Sequence, residues 1–138
     1  MSAPAAVVDA SVWVSGLTPG EVHHPISQHW LAAHLAAGGQ VIAPTLLPVE
    51  VAAAITRRSG DPLLGEQGMD AVLRLPVHSL VTLDVQLSMR AARFAIDLRL
   101  RGADAVYVAV AHSLQIPLIT WDREQLARAA GRIALRTP

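Results

Sequence analysis

Cysteine is absent from the chain, which excludes a disulfide framework, thiolate metal ligands and a cysteine nucleophile. Lysine is absent as well: all eleven basic residues are arginine. That excludes a phosphate-loop lysine, a Schiff-base lysine and the lysine-dependent phosphatases, and it leaves the residue better suited to forked phosphate contacts. Neither sign of charge is in excess, since eleven acidic residues balance the arginines. Such neutrality argues against a protein that coats nucleic acid nonspecifically, and leaves room for a locally basic rim. No uninterrupted apolar run approaches the roughly 20 residues of a membrane span. The longest candidates are cut by Pro44 and Pro48, or by Asp104 and His112. Met1–Ala6 carries no basic residue and Asp9 breaks the first apolar stretch, so a secretory signal is not expected and a cytoplasmic location is. Repeats, low-complexity tracts and linkers are missing too. What remains is a 52% hydrophobic chain, long enough to bury roughly two-thirds of its unfolded surface. One domain spanning residues 1–138 is expected.

Strand-like and helix-like segments alternate along it. Ala5–Asp9 (AAVVD) reads as a buried strand ending on a polar residue. Ile26–Ala37 has helical composition and stops at Gly38-Gly39. Val41–Ala43 reads as a second strand, and Thr45–Arg58 as a helix capped by Thr45 with Pro48 in its first turn. Asp61-Pro62 reads as an N-cap followed by proline at the first helical position, opening a helix to about Leu73. Val77–Thr82, Pro117–Thr120 and Ile133–Leu135 read as strands, the last at an edge; Asp84–Leu100, Ala103–Leu114 and Asp122–Ala130 read as helices. Apolar strands separated by helices predict a three-layer α/β fold. Its central sheet is mainly parallel, has four to five strands and is covered by helices on both faces. Ligands bind such sheets at the carboxyl ends of the strands.

Four acids stand in places that burial alone does not favour. Asp9 ends the first strand, and Asp122 follows the PLIT strand. Glu50 has Leu46, Leu47, Ala53 and Ala54 as its helical neighbours, so it lies within an apolar stripe. Asp104 heads a face that continues with Tyr107, Val108 and Ala111. Taken singly, three have a structural explanation. Asp122 with Gln125 is a capping-box pattern, Asp104 can complement a helix dipole, and Asp9 can be a strand-end turn residue. No cap explains Glu50. Two like charges about 4 Å apart repel by roughly 4 kcal/mol at an effective dielectric of about 20, so a shared site needs protons or cations. A divalent metal is the simplest remedy, and an all-oxygen donor set selects Mg²⁺ or Mn²⁺ over zinc.

These segments resemble a known family. Val7-Val8-Asp9-Ala10-Ser11 is similar to the opening strand of PIN-domain nucleases, and Pro48-Val49-Glu50-Val51 to their acidic helix. Gly102 to Ala111 (GADAVYVAVA) resembles the third acidic motif and Ile119 to Glu124 (ITWDRE) the fourth. The ordered set spans essentially the whole chain and looks most like the toxin half of VapBC-type toxin–antitoxin pairs. The resemblance implies a PIN-like, flavodoxin-like fold and metal-dependent cleavage of RNA phosphodiesters. It also implies homodimerisation and inhibition by a small VapB-like antitoxin. Asp9 and Asp104 are then the expected direct metal ligands, with Asp122 and Glu50 holding metal directly or through water. Ser11 and Thr120 are expected to orient waters or carboxylates.

Other residues are more ambiguous. Arg57 lies two turns beyond Glu50 and can reach RNA phosphate or simply complement the helix end. Arg101 adjoins Asp104, and Trp121 adjoins Asp122, where it can stack on a base or pack. Arg90, Arg93, Arg99 and Arg101 cluster near one helix and read first as solvated, second as facing RNA. His23, His24, His29 and His34 lack the spacing of a zinc pair. Thr18–Pro25 (TPGEVHHP) matches no motif. Two other functions compete: a magnesium-dependent phosphohydrolase, which would need an acid where Ser11 stands and a lysine, and a degenerate scaffold, which would have lost an acid.

Overall fold

The computed structural model describes residues 4–76 and 79–138. From the N-terminus the elements are β1 (Ala5–Val8), α1 (Ala10–Leu17), α2 (His24–Ala36), β2 (Gln40–Pro44), α3 (Leu47–Ser59) and α4 (Pro62–Leu73). They continue as β3 (Leu80–Val81), α5 (Val85–Leu98), α6 (Gly102–Leu114), β4 (Leu118–Ile119), α7 (Arg123–Arg128) and β5 (Leu135–Arg136). The strands form one sheet in the order β3-β2-β1-β4-β5, every neighbouring pair parallel. The expected α/β architecture is present, and its sheet is wholly parallel.

Burial explains why the strands read as continuous apolar runs. Ala6, Val7 and Val8 are all buried, although successive residues of a strand point to opposite faces. Both faces are therefore covered. α6 packs across β1, β2 and β4 and carries α5 on its outer side, α2 lies against β2, and α3 packs on α1 and α4.

Three segments differ from the sequence reading. Ala10–Leu17, to which no element was assigned, is helical. Val12 to Gly16 are buried without a break, so no periodicity marks the helix, and two of its residues are β-branched valines that weaken propensity. Thr45 does not cap α3. That helix starts at Leu47 without a side-chain cap, because Thr45 extends β2: its N–H donates to Val81 O at 2.9 Å and its hydroxyl accepts from Leu83 N at 3.2 Å. Of the strand expected over Val77–Thr82, Leu80–Val81 is present, and residues 77 and 78 lie outside the described part. Asp61 caps α4 as expected, accepting from Leu63 N at 2.9 Å.

Glycine sets the approach of α4 to α3. A Cβ on Gly65 would collide with Thr56 Oγ1 and stand 3.1 Å from the Ala52 carbonyl oxygen, and one on Gly68 would meet Ile55 Cδ1 at 2.5 Å. Gly65→Val is expected to lower Tm by roughly 10 °C, the result of about 3 kcal/mol of overpacking. Gly131→Val, where a Cβ meets nothing within 4 Å, should leave Tm unchanged. Equal melting curves for the two variants would refute the close helix contact.

Candidate active site

From β1 the chain winds outward through β2 to β3, then returns to the other side of β1 for β4. The reversal falls between β1 and β4, and ligands bind open α/β sheets at such a point, beyond the carboxyl ends of the strands. Asp9 follows β1 directly, and Thr120 to Asp122 follow β4. Asp9 N–H donates to Ile119 O at 2.9 Å, which holds the two strand ends together.

Asp9 is 5% exposed and caps α1, accepting from Ser11 N at 3.0 Å. Thr120 Oγ1 stands 3.3 Å from the same carboxylate oxygen, and Gln125 Nε2 stands 3.5 Å from the other. Burial pushes the Asp9 carboxyl up from its ordinary range; the Ser11 and Gln125 hydrogen bonds pull it back and the Asp122 charge pushes it further. Asp122 caps α7, accepting from Gln125 N at 2.8 Å, and its own N–H donates to Thr120 Oγ1 at 2.9 Å. Ser11 Oγ accepts from Trp121 N at 3.1 Å. Ser11 and Thr120, singled out in the sequence, thus tie the loop after β4 to the start of α1.

The other two acids enter from α3 and α6. Glu50 is half-buried and accepts a 2.7 Å hydrogen bond from the Tyr107 hydroxyl. Burial raises the Glu50 carboxyl, the tyrosine bond lowers it, and Asp9 raises it again. Tyr107 is fully buried, and burial followed by the charges of Glu50 and Asp9 pushes its phenol far above the ordinary value. It therefore remains a donor. Asp104 is pushed up to about 7, first by burial, then by Asp122, Asp9 and Glu50 in turn, with Arg101 opposing. One carboxylate feels all three others, so the fold brings the four acids of the sequence reading into a single electrostatic neighbourhood.

Two residues here were not singled out for a role at the site. Tyr107 was visible only as the next residue on the face headed by Asp104. Gln125 was read as half of a capping box, yet it is fully buried. Its Oε1 accepts from Thr120 Oγ1 at 2.7 Å, and its Nε2 donates to Asp104 O at 3.2 Å. Gln125→Leu removes both buried hydrogen bonds and is expected to cost about 2 kcal/mol of stability. By loosening Asp9 and Asp104 it should also lower metal affinity by about 10- to 100-fold. Wild-type melting and wild-type Mn²⁺ affinity by calorimetry would show the side chain to be idle.

The remaining candidates are placed as follows. Arg101 is exposed at the N-cap of α6, within electrostatic reach of Asp104. Arg57 is exposed in the last turn of α3. Trp121 stacks on His23 with centroids 3.8 Å apart, and its Nε1 donates to Ser27 Oγ at 2.8 Å. The unassigned Thr18–Pro25 segment is thereby fastened beside the site, and Glu21 fastens it again through Arg58 at 2.6 Å. His24 and His34 make contacts to the backbone carbonyls of Ser15 and Gln40.

The donors fit a hard cation in kind: four carboxylates and no sulfur, with the carboxyls of Asp9, Glu50 and Asp104 raised chiefly by burial. Among the described residues no group of three or more His, Asp or Glu side chains is gathered closely enough to hold a metal ion.

The fold has solved counterparts. The sarcin–ricin-loop-cleaving toxin VapC20 of Mycobacterium tuberculosis superposes with a TM-score of 0.77 at 20% identity, covering 95% of this chain and 98% of that one. PAE2754 of Pyrobaculum aerophilum gives 0.64 at 24% identity, covering 96% and 92%. A chain of a toxin–antitoxin complex from Klebsiella pneumoniae gives 0.70 at 17% identity, covering 96% and 97%. At these identities the likeness is one of fold. A search of curated protein sequences found no match. The PIN-domain profile matches residues 6–132, nearly the full length, and the chain belongs to the PIN-domain family.

Proposed function

We propose that this protein is a divalent-metal-dependent endoribonuclease that hydrolyses RNA phosphodiester bonds, and that it serves as the toxin of a toxin–antitoxin pair. The observation carrying this reading is the convergence of Asp9, Glu50, Asp104 and Asp122 at the switch point, with Asp104 raised to about 7 by burial and its three neighbours. Asp9 and Asp104 would hold Mg²⁺ or Mn²⁺ directly, and Asp122 and Glu50 directly or through water. When bound, such an ion supplies Lewis-acid stabilisation of phosphoryl charge and acidifies water. The chain's own groups do the rest. Tyr107 holds Glu50 Oε1, leaving Oε2 to take the proton of an attacking water. Ser11, Thr120 and Gln125 keep the Asp9 carboxylate oriented, and Arg101 faces the site from its rim.

The solved likenesses include toxins in complex with antitoxins, which supports a small antitoxin partner for this chain; we also expect a homodimer. The cleft of about 700 Å³ bordered by Leu17, Ile55 and Leu64 offers such a partner an apolar seat. Among the described residues no helix is long and apolar enough to cross a membrane.

The test is incubation of the purified protein with a mixed cellular RNA pool in Mg²⁺ or Mn²⁺, and in EDTA. Cleavage with metal and none with EDTA is expected. Intact RNA in every lane, with no Mn²⁺ binding by calorimetry, would remove the reading and favour a scaffold that binds without cutting.

A further inference from the structure

A second concentration of charge lies at the far end of α6 from the acids. Arg90 and Arg93 of α5, Arg132 of the turn after α7, and His112 of α6 line a cleft of about 490 Å³. No carboxylate lines it. Two of the arginines are held in place. Arg90 Nη1 donates to Ser113 Oγ at 2.9 Å, and the Arg132 guanidinium lies 4.9 Å from the centroid of the buried Phe94 ring. His112 meets the same ring edge-on at 5.2 Å. Of the three arginines only Arg93 has an acidic partner among the described residues, Asp97 at 3.4 Å.

Cations often gather at a helix C-terminus to complement its dipole, but here two of the last four carbonyls of α6 have other partners. Ala111 O accepts from Ile116 N at 3.2 Å and His112 O from Gln115 Nε2 at 2.7 Å. Among the described residues none of the three arginines donates to either. Arg90 and Arg132 have no acidic partner among the described residues, and a forked guanidinium suits the oxygens of phosphate.

We propose that this cleft is an exosite that binds a backbone phosphate of the RNA strand held at the acids. The inference rests on the ribonuclease reading. Asp104 and His112 are eight residues apart on one helix, about 12 Å, a span a short single strand can bridge. The α5–α6 pair carries Arg99 and Arg101 at its acid end, and the cleft arginines at the other. A strand running along this pair would meet positive charge at both ends, which reconciles a neutral chain with a polyanionic substrate. Contacts so far from the reacting phosphate bind ground and transition states alike, so they act on KM and leave kcat alone.

The experiment compares wild type with the double variant Arg90→Ala/Arg93→Ala, which leaves Arg132 on Phe94; thermal melting establishes that both fold. With EDTA present to prevent cleavage, binding of a trinucleotide and a dodecamer RNA is followed by fluorescence anisotropy over a salt series. The dodecamer should bind the variant about tenfold more weakly, with the salt slope lowered by about 0.7 per arginine removed. The trinucleotide should bind both equally, and for cleavable long RNA KM should rise at constant kcat. Inorganic phosphate titrated alone should shift the His112 ring resonances of wild type and leave those of the variant in place. Equal dodecamer binding by both proteins, while wild type still cleaves, would overturn the exosite and leave the ribonuclease reading standing. Phosphate binding with no RNA binding or cleavage by wild type would overturn both, leaving a free-anion site.

Discussion

A chain carrying Asp104→Asn is expected to fold, to melt higher than wild type in EDTA at pH 8, and to cleave no RNA. The two effects have one origin. Asp104 sits where burial and three carboxylates oppose its charge and hold it at about 7, so at pH 8 the metal-free protein carries that repulsion. Asparagine keeps the shape and removes the charge. On the proposed reading it also removes a ligand from a site whose cation would stabilise the transition state by several kcal/mol, and 4 kcal/mol corresponds to about a thousandfold in rate. Asp9→Asn should lose as much activity with less gain in stability, because Asp9 also caps α1, accepting from Ser11 N. Cleavage assays and melting curves on the same preparations decide the matter. Retained cleavage by Asp104→Asn would remove it from the site, and a lower melting point would refute the electrostatic frustration.

The metal-free protein is also expected to lose stability as pH rises from about 4 to 7. Asp104 titrates near 3.8 ordinarily and near 7 in the folded chain, so the folded state binds its proton more tightly. The stabilisation is complete below the lower value and is lost as pH passes the upper one. Asp9 and Glu50 are displaced in the same direction. After discounting for solvent at the half-buried Asp104, the expected loss is on the order of 1–2 kcal/mol, several degrees in Tm. Mg²⁺ or Mn²⁺ at about 100 times its Kd should restore about 2.7 kcal/mol at pH 8. The measurement is the Tm difference between wild type and Asp104→Asn across this window, with and without metal. A difference that does not change with pH would mean that the acids are not coupled as described.

Part of this was open to inspection in the chain. The alternation of apolar runs with helical segments sufficed for a parallel α/β sheet, because a strand buried on both faces must be apolar at every position. Glu50 within an apolar stripe, and Asp104 heading one, signalled buried charge before any fold was known. Local chemistry also placed the Asp61 cap and the start of α4. It failed at α1, where five successive buried residues erase the periodicity that betrays an amphipathic helix. It failed too at Thr45, whose capping tendency yields to pairing with a strand more than thirty residues away.

The sequence by itself determined which residues had to be reconciled: four carboxylates, no lysine, and apolar strands that carry Asp9 and Asp122 to the same edge. Those are consequences of side-chain chemistry and of short-range periodicity. Only the tertiary structure decided that β4 returns beside β1, that Gln125 reaches from its own cap to Asp9 and the Asp104 carbonyl, that Tyr107 holds Glu50, and that Arg132 joins Arg90 and Arg93 around one cleft. Each is a contact between residues far apart in the chain. No local pattern encodes such a contact, because it forms only when the burial of the whole sheet brings its partners together.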